Sequence, residues 1–100
     1  WNVAAAILER RARAFTPWPG LFTQWEGAVI KLLEVSVSPY EAGVDDSPGQ
    51  VVDLTEGDVP VGVVTSDGVL GLKTIQLEGR RAQSAAEFLR GHTQFIGSQL

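Results

Sequence analysis

The basic side chains of this 100-residue sequence are the groups whose types and spacing suit a specific chemistry, the binding of phosphate. Arg80 and Arg81 are adjacent, Lys73 precedes them, and Arg90 and His92 follow. Arginine presents a planar fork of donors to phosphate oxygens, and lysine presents a point charge. From the residues alone, an ordinary solvated turn at the two arginines is favoured, and phosphate binding is the alternative.

The charges are distributed unevenly along the chain. A formal net charge of -4 taken by itself argues against a nucleic-acid partner, because phosphate binding needs a positive surface. Residues 32–72, however, contain eight acidic side chains and no Lys or Arg, and the remaining segments contain eight basic and four acidic residues. The two ends of the sequence can therefore still form a basic surface.

Groups that perform catalysis or bind metals are scarce in the sequence. His92 is the only histidine, and cysteine, a Gly-x-Ser-x-Gly segment and a phosphate-cradling glycine-rich loop are absent. Asp45 and Asp46 adjoin a Pro-Gly pair, which favours a solvated turn over a catalytic carboxylate pair. Three later acidic residues lack the spacing of a calcium loop: Asp53, Glu56 and Asp58. We predict no catalytic residue, metal site or cofactor in this chain.

Length and composition predict one compact globular domain. The hydrophobic fraction of 44% and the charged fraction of 20% are close to those of average soluble domains. No apolar run approaches the ~20 residues that cross a bilayer, and the first residues lack the layout of a signal peptide. We expect a cytoplasmic protein with no membrane partner. Because the chain begins at Trp1, directly before a helix, we expect it to be part of a longer protein.

The first 20 residues are predicted to form a helix and a rigid connector. Asn2 can cap a helix over about 3–14, because this stretch is rich in strong helix formers. The apolar side chains at helical spacing are Ala4, Ile7, Leu8 and Phe15. Residues 16–20 contain two prolines, which fix an extended backbone.

Five strands are predicted in the central part of the chain, over 21–25, 28–38, 50–54, 61–65 and 69–77. Glu26-Gly27 and Ser66-Asp67-Gly68 have the composition of hairpin turns between these runs. The second strand mixes apolar and polar residues on both faces, which indicates strong curvature. Gly62 and Gly71 inside strands predict bulges or sharp bends.

A short helix is predicted after the last of these strands. Ser84 and Glu87 form a capping box, and Gly91 stands where a left-handed residue ends a helix. Because the basic residues lie in the strand before this segment, in the turn and at the helix end, we expect them to converge near one edge. The fold prediction is mainly β: a small OB-like open barrel of about five to six strands with an N-terminal helix and a short C-terminal helix.

Several segments, in the same order, resemble the C-terminal domain of methionyl-tRNA formyltransferases. Arg13 to Gly20 is similar to the Arg-Ala-Phe-x-Pro-x-Pro junction of that family, and the Pro48-Gly49-Gln50-Val51 segment to the entry of its second strand. Two later segments also resemble that family. They are the hairpin from Thr65 to Leu70 and the segment from Gln76 to Arg81 with the closing helix that follows it. Together these segments cover essentially the whole chain.

The resemblance implies a six-stranded OB-like barrel attached to an N-terminal Rossmann-type domain. That domain, absent here, transfers a formyl group from 10-formyltetrahydrofolate to the methionine of initiator tRNA, so the fragment alone is expected to be inactive. Residues 1–20 are then the helix and connector from the catalytic domain, and residues 21–100 the barrel. The implied interdomain elbow comprises Arg13, Phe15, Pro17, Trp18 and Pro19. Trp18 is equally compatible with a place in the barrel core.

The implied partners are initiator Met-tRNA and the formyltransferase domain of the same chain. The resemblance also favours phosphate binding over a plain solvated turn for the basic residues. These residues then position the tRNA backbone without reading bases. The tRNA-facing group is predicted to comprise Arg80, Arg81, Lys73, Arg90 and His92. Two alternatives stay open: the scaffold barrel of another formyltransferase or a formyltetrahydrofolate hydrolase-type enzyme that binds no RNA, and a free-standing protein-interaction barrel.

Overall fold

The computed structural model describes residues 4–15, 21–38, 47–56 and 59–100. The elements in chain order are helix α1 (Ala5–Phe15), strands β1 (Leu21–Trp25), β2 (Ala28–Ser38), β3 (Val51–Glu56), β4 (Val59–Val64), β5 (Val69–Leu77) and β6 (Gln83–Ser84), helix α2 (Ala85–Gly91) and a 3-10 turn (Thr93–Phe95). The predicted fold class is confirmed, since the chain is mainly β with an N-terminal and a short C-terminal helix.

All six strands belong to one antiparallel sheet with the order β1-β2-β5-β4-β3, and β6 pairs with β5. The sheet is open, as predicted, because β1 and β3 lie at its two ends and do not pair within the described residues. Both predicted hairpins are confirmed. Glu26 and Gly27 have φ values of 50° and 82°, as the primed hairpin turns require, and Gly68 has a φ of 88° in the β4–β5 turn.

The register irregularities of the sheet do not lie at the glycines that the sequence singled out. Gly62 and Gly71 are directly paired in an unbroken register between β4 and β5, so the prediction of bulges at these residues is wrong. A Cβ at Gly62 would lie 2.6 Å from Val69 Cγ1, and one at Gly71 would lie 2.6 Å from Val59 Cγ1. These glycines therefore allow neighbouring side chains to approach the backbone closely.

The register irregularities lie in the β2–β5 and β3–β4 pairs, and the first of them explains the mixed pattern of β2. The pairing of β2 with β5 shifts on both sides of Glu34. Before the shift, Ile30 and Leu32 are buried, and after it Val35 packs against the core while Val37 is 48% exposed. Across the shift the contact with this core thus passes from the even positions Ile30 and Leu32 to the odd position Val35. β3 has a further irregularity after Asp53.

Helix α1 packs on the sheet through Ala5 and Leu8. Ile7, which the helical pattern placed on the apolar face, is 41% exposed, so the buried face is rotated from the predicted one. The helix begins two residues later than predicted, where the Ala5 N–H donates to the Asp67 carbonyl (3.0 Å) in the β4–β5 turn. The predicted cap Asn2 lies outside the described residues.

Helix α2 begins as predicted and ends differently. Ser84 Oγ accepts a hydrogen bond from the Glu87 N–H (3.1 Å), which confirms the N-terminal cap. The prediction of a left-handed Gly91 is wrong, because this residue is the last of the helix and has no positive φ. The chain continues through His92, with its N–H 3.3 Å from the Leu89 carbonyl, directly into the 3-10 turn. The left-handed glycine in this region is Gly97, with a φ of 94°.

An aromatic cluster joins the end of β1 to the C-terminal residues. The Trp25 ring meets those of Phe88, His92 and Phe95 edge to face, at centroid distances of 5.6, 5.7 and 5.2 Å. Trp25 Nε1–H donates to Ser98 Oγ (3.0 Å). Ser98 also accepts from the Val51 N–H through its carbonyl (2.9 Å), so the C-terminal residues run beside β3. No helix in the described part of the chain is long and apolar enough to cross a membrane.

Candidate nucleic-acid interface

The connection from β5 to β6 presents two arginines on a hydrogen-bonded turn, residues 78–81, which we call the arginine turn. Gly79 has a φ of 79°, which lets the chain reverse directly after Leu77. The Arg80 N–H donates to the Leu77 carbonyl (2.9 Å), and the Arg80 carbonyl accepts from Gln76 Nε2 (2.9 Å). Arg80 and Arg81 are both exposed. The backbone is therefore fixed while the two guanidinium groups face solvent.

Arg81 makes one weak contact with helix α2. Its Nη2 lies 3.6 Å from Glu87 Oε2, and the Arg81 side chain is 87% exposed. Exposed pairs of this kind typically contribute ~0 to 1 kcal/mol to stability. A guanidinium carries five N–H donors. This ion pair thus leaves most of the donors of Arg81 available to an anion. It also contributes little to the stability of the fold.

The other predicted basic residues are placed differently. Lys73 is half-buried in β5 beside the register shift, and Arg90 is exposed near the end of α2. The His92 ring stacks on Phe88 at 4.2 Å, and its Nδ1 lies 3.1 Å from the Phe88 carbonyl. The structure thus brings α2 to the arginine turn through Arg81. Across the described ranges, no hydrogen bond or ion pair joins Lys73 or Arg90 to that turn.

The predicted interdomain elbow lies mostly outside the described residues. Arg13 and Phe15 belong to the last turns of α1, and the structure describes only their backbone. Pro17, Trp18 and Pro19 fall in the undescribed segment 16–20. The elbow therefore stays a prediction. The division at residue 20 stays one too, although Ala5 and Leu8 of α1 pack with the core of the sheet.

Two exposed side chains near the arginine turn were missed by the sequence analysis. Phe22 of β1 is 64% exposed and lies directly opposite Lys31 of β2. Lys31 in turn lies opposite Gln76 of β5, whose amide holds the arginine turn. The two-residue Glu26-Gly27 turn could have revealed the first pair, because the length of a hairpin loop fixes the register of its strands.

The described surface offers shallow hollows. One, of about 140 Å³, is lined by Val29, Lys31, Gln76, Leu77, Glu78 and Gly79. A second, of about 200 Å³, lies between α1 and β1 and is lined by Leu8, Leu21, Phe22, Thr23 and Leu32. Both are smaller than the ~300 to 1,000 Å³ that binds a drug-sized ligand. No group of three His, Cys, Asp or Glu residues that could hold a metal occurs in the described ranges.

The chain belongs to the family described as formyl transferase, C-terminal domain, which matches residues 1–93. The resemblance drawn from the sequence motifs is thereby confirmed.

Relatives with the name methionyl-tRNA formyltransferase match along the chain. The protein of Dehalococcoides mccartyi strain ATCC BAA-2266 is 44% identical over 100 residues, which are 100% of this chain and 31% of the relative. That of Myxococcus xanthus is 45% identical over 95% of this chain and 28% of its own length. That of Roseiflexus castenholzii is 40% identical over 91% of this chain and 28% of its own length. The chain thus spans about 30% of the length of these relatives.

Proposed function

We propose that this chain is the tRNA-binding domain of a methionyl-tRNA formyltransferase and positions initiator Met-tRNA for N-formylation at the start of translation. The observation that carries the proposal is the family match over residues 1–93, with relatives of that name aligned along the entire chain. The protein is proposed to act in the cytoplasm. In this proposal, formyl transfer belongs to an N-terminal formyltransferase domain of the same protein.

The formyl donor, 10-formyltetrahydrofolate, is assigned to that N-terminal domain. In this proposal no step of the transfer is carried out by residues of this chain. Its contribution is to bind and orient the tRNA, so that the acceptor end meets the catalytic domain in a productive geometry.

The arginine turn suits such positioning. Arg80 and Arg81 project from a backbone that Leu77 and Gln76 hold through two hydrogen bonds of 2.9 Å. A fixed backbone lowers the conformational entropy that is lost when a side chain engages its partner. Guanidinium groups bind phosphate oxygens in a bidentate manner, and such contacts supply affinity and register without reading the base sequence. Lys73, Arg90 and His92 are proposed to extend this surface.

The test is a double substitution, Arg80→Ala with Arg81→Ala, in the full-length protein. We expect weaker tRNA binding across tRNA sequences, and a slope of log affinity against log salt that falls by roughly 0.7 to 0.9 per lost phosphate contact. The matched control is Arg10→Ala with Arg11→Ala, which removes the same charge from exposed positions of α1. This control should change the slope less than the change at the arginine turn.

Unchanged affinity and slope in the folded double variant would remove the arginine turn from the tRNA interface. Formylation of a sugar nucleotide in place of Met-tRNA by the full-length protein would then favour the scaffold barrel of another formyltransferase.

The 100-residue chain alone, incubated with 10-formyltetrahydrofolate and Met-tRNA, should give no product above background. Turnover by the pure chain would contradict the proposed division of labour.

A further inference from the structure

A row of three side chains crosses the outer face of the sheet from β1 to β5; we call Phe22, Lys31 and Gln76 the outer row. Phe22 pairs with Lys31, and Lys31 pairs with Gln76. The sequence neighbours of Lys31, Ile30 and Leu32, are 0% and 2% exposed and point into the core. Successive side chains of a strand alternate between faces. The outer row therefore lies on the solvent side of the sheet.

The outer row is continuous with the arginine turn. Gln76, its last member, donates from Nε2 to the Arg80 carbonyl. Neighbouring strands lie about 4.8 Å apart, so the row extends roughly 10 Å from β1 to β5 before it meets the arginines. An aromatic ring, a lysine, an amide and two arginines thus follow one another along a single strip of surface.

The chemistry of this strip fits an unpaired nucleotide. A base stacks on an aromatic side chain whatever its sequence, because every base has a π-face, and neighbouring cations bind the phosphates. The Phe22 ring is 64% exposed, and it lies on β1, which pairs with β2 along its whole length. A protein partner fits less well, because the centres of protein interfaces are depleted in lysine, and Lys31 lies directly beside the ring.

Glu78, an acidic residue beside the outer row, forms hydrogen bonds with the backbone of β2. Glu78 lines the hollow that Lys31 and Gln76 also line. Its Oε1 accepts a hydrogen bond from the Val29 N–H (3.0 Å), and its own N–H donates to the Val29 carbonyl (2.8 Å). A hydrogen bond from a backbone N–H stabilises the carboxylate where it stands. The Glu78 carboxylate is thus held beside Val29 of β2.

We infer that Phe22 stacks on an unpaired base of the bound RNA while Lys31 contacts a neighbouring phosphate, so that the outer row extends the interface of the arginine turn. The inference rests on the proposed function, because it names a further part of the same RNA-binding surface. It differs from the arginine contacts in a measurable way. A stack contributes affinity without charge, and it requires a base that is free of a duplex partner.

The experiment compares Phe22→Ala, Phe22→Leu and Phe22→Tyr in the full-length protein with tRNA as ligand. Loss of the stack is expected to weaken binding roughly 5- to 150-fold in the Ala and Leu variants, the range that corresponds to one base–aromatic stack. The Tyr variant should bind within about 3-fold of the parent, because it keeps the ring. The salt slope should be the same in all of them, since no charge changes. Lys31→Ala should lower the slope by about one phosphate contact.

Val37→Ala is the matched control, because Val37 is another exposed apolar side chain of the sheet, 48% exposed on β2. It should leave tRNA affinity unchanged. A second comparison uses a short single-stranded RNA and a fully paired RNA duplex of equal length. Phe22→Ala should weaken binding of the single strand and leave the duplex unaffected. Thermal unfolding by circular dichroism establishes that each variant is folded.

The outcomes separate this inference from the proposed function. If Phe22→Ala binds tRNA like the parent while the double arginine variant binds weakly, the inference that Phe22 stacks on a base is wrong and the proposed function stands. If neither variant loses affinity, the stack is excluded and the arginine turn is removed from the tRNA interface as well. If Phe22→Leu binds like the parent, the ring is not used for stacking. If Phe22→Ala keeps RNA affinity but lowers the unfolding temperature of the full-length protein more than that of the 100-residue chain, Phe22 contacts another domain, which also overturns the inference.

Discussion

Gly62→Ala tests directly how tightly β4 and β5 pack. A Cβ at Gly62 would lie 2.6 Å from Val69 Cγ1, 3.0 Å from Leu54 Cδ1 and 3.0 Å from the Leu70 carbonyl oxygen. Carbon atoms pack best at about 3.5 to 4.0 Å. The Leu70 oxygen is backbone of the neighbouring strand, and Val69 and Leu54 belong to a buried cluster. None of these atoms can move away without disturbing its own packing.

The magnitude follows from two opposing effects. Overpacking of a filled core typically costs about 1 to 3 kcal/mol. Alanine reduces the conformational freedom of the unfolded chain relative to glycine, which offsets about 0.4 to 1 kcal/mol. We therefore expect Gly62→Ala to lower the free energy of unfolding by about 1 to 2 kcal/mol. For a domain of this size the melting temperature should fall by roughly 5 to 15 °C.

The assay is urea unfolding of the 100-residue chain at 25 °C, followed by circular dichroism, with a thermal melt of the same sample. Gly91→Ala is the matched control, because nothing lies within 4 Å of the added Cβ and the residue is helical. It should be neutral or stabilise by up to about 1 kcal/mol. A Gly62→Ala variant as stable as the parent, or a Gly91→Ala variant that loses as much, would refute the reasoning from close approach.

Two further changes probe the start of helix α2 and the proline-containing connector that follows helix α1. Ser84→Ala removes the acceptor of the Glu87 N–H and should destabilise the chain by about 1 kcal/mol in urea unfolding, whereas Ser84→Gly should cost only a few tenths; equal losses would argue against a capping role. Pro17→Ala with Pro19→Ala in the full-length protein should lower the catalytic efficiency of formylation more than the barrel's stability, and unchanged kinetics would contradict an orienting elbow.

Most of the sheet could be predicted from local sequence. β1, β2 and β5 have the predicted bounds. The Glu26-Gly27 turn marks the end of β1 and the start of β2, and the Asp67-Gly68 turn marks the start of β5. β6 was not predicted as a separate strand, because two residues carry no periodicity. Gln83 and Ser84 form a strand only through their pairing with Ile75 and Thr74 of β5. Such a strand follows from tertiary structure and leaves no signal in its own sequence.

The candidate site was predictable to a similar extent. The exposure of Arg80 and Arg81 follows from the turn composition around Gly79. The position of His92 does not, because its ring is held by Phe88 and Trp25, and Trp25 lies 67 residues earlier in the sequence. The left-handed conformation predicted for Gly91 was wrong for the same reason, because the local pattern holds no information about the aromatic cluster beside which the chain continues into the 3-10 turn.

The hydrogen bonds of the C-terminal residues bear on how the chain folds during synthesis. Trp25 donates to Ser98, and the Val51 backbone bonds to both Gly97 and Ser98. A nascent chain leaves the ribosome from its N-terminal end, at roughly 5 to 20 residues per second. Until residue 98 has emerged, the outer edge of β3 and the Trp25 indole lack these partners, and an unprotected edge strand readily pairs with other chains. Gly97 and Ser98 therefore close this sheet edge, and a ribosome that stalls before them leaves an aggregation-prone sheet.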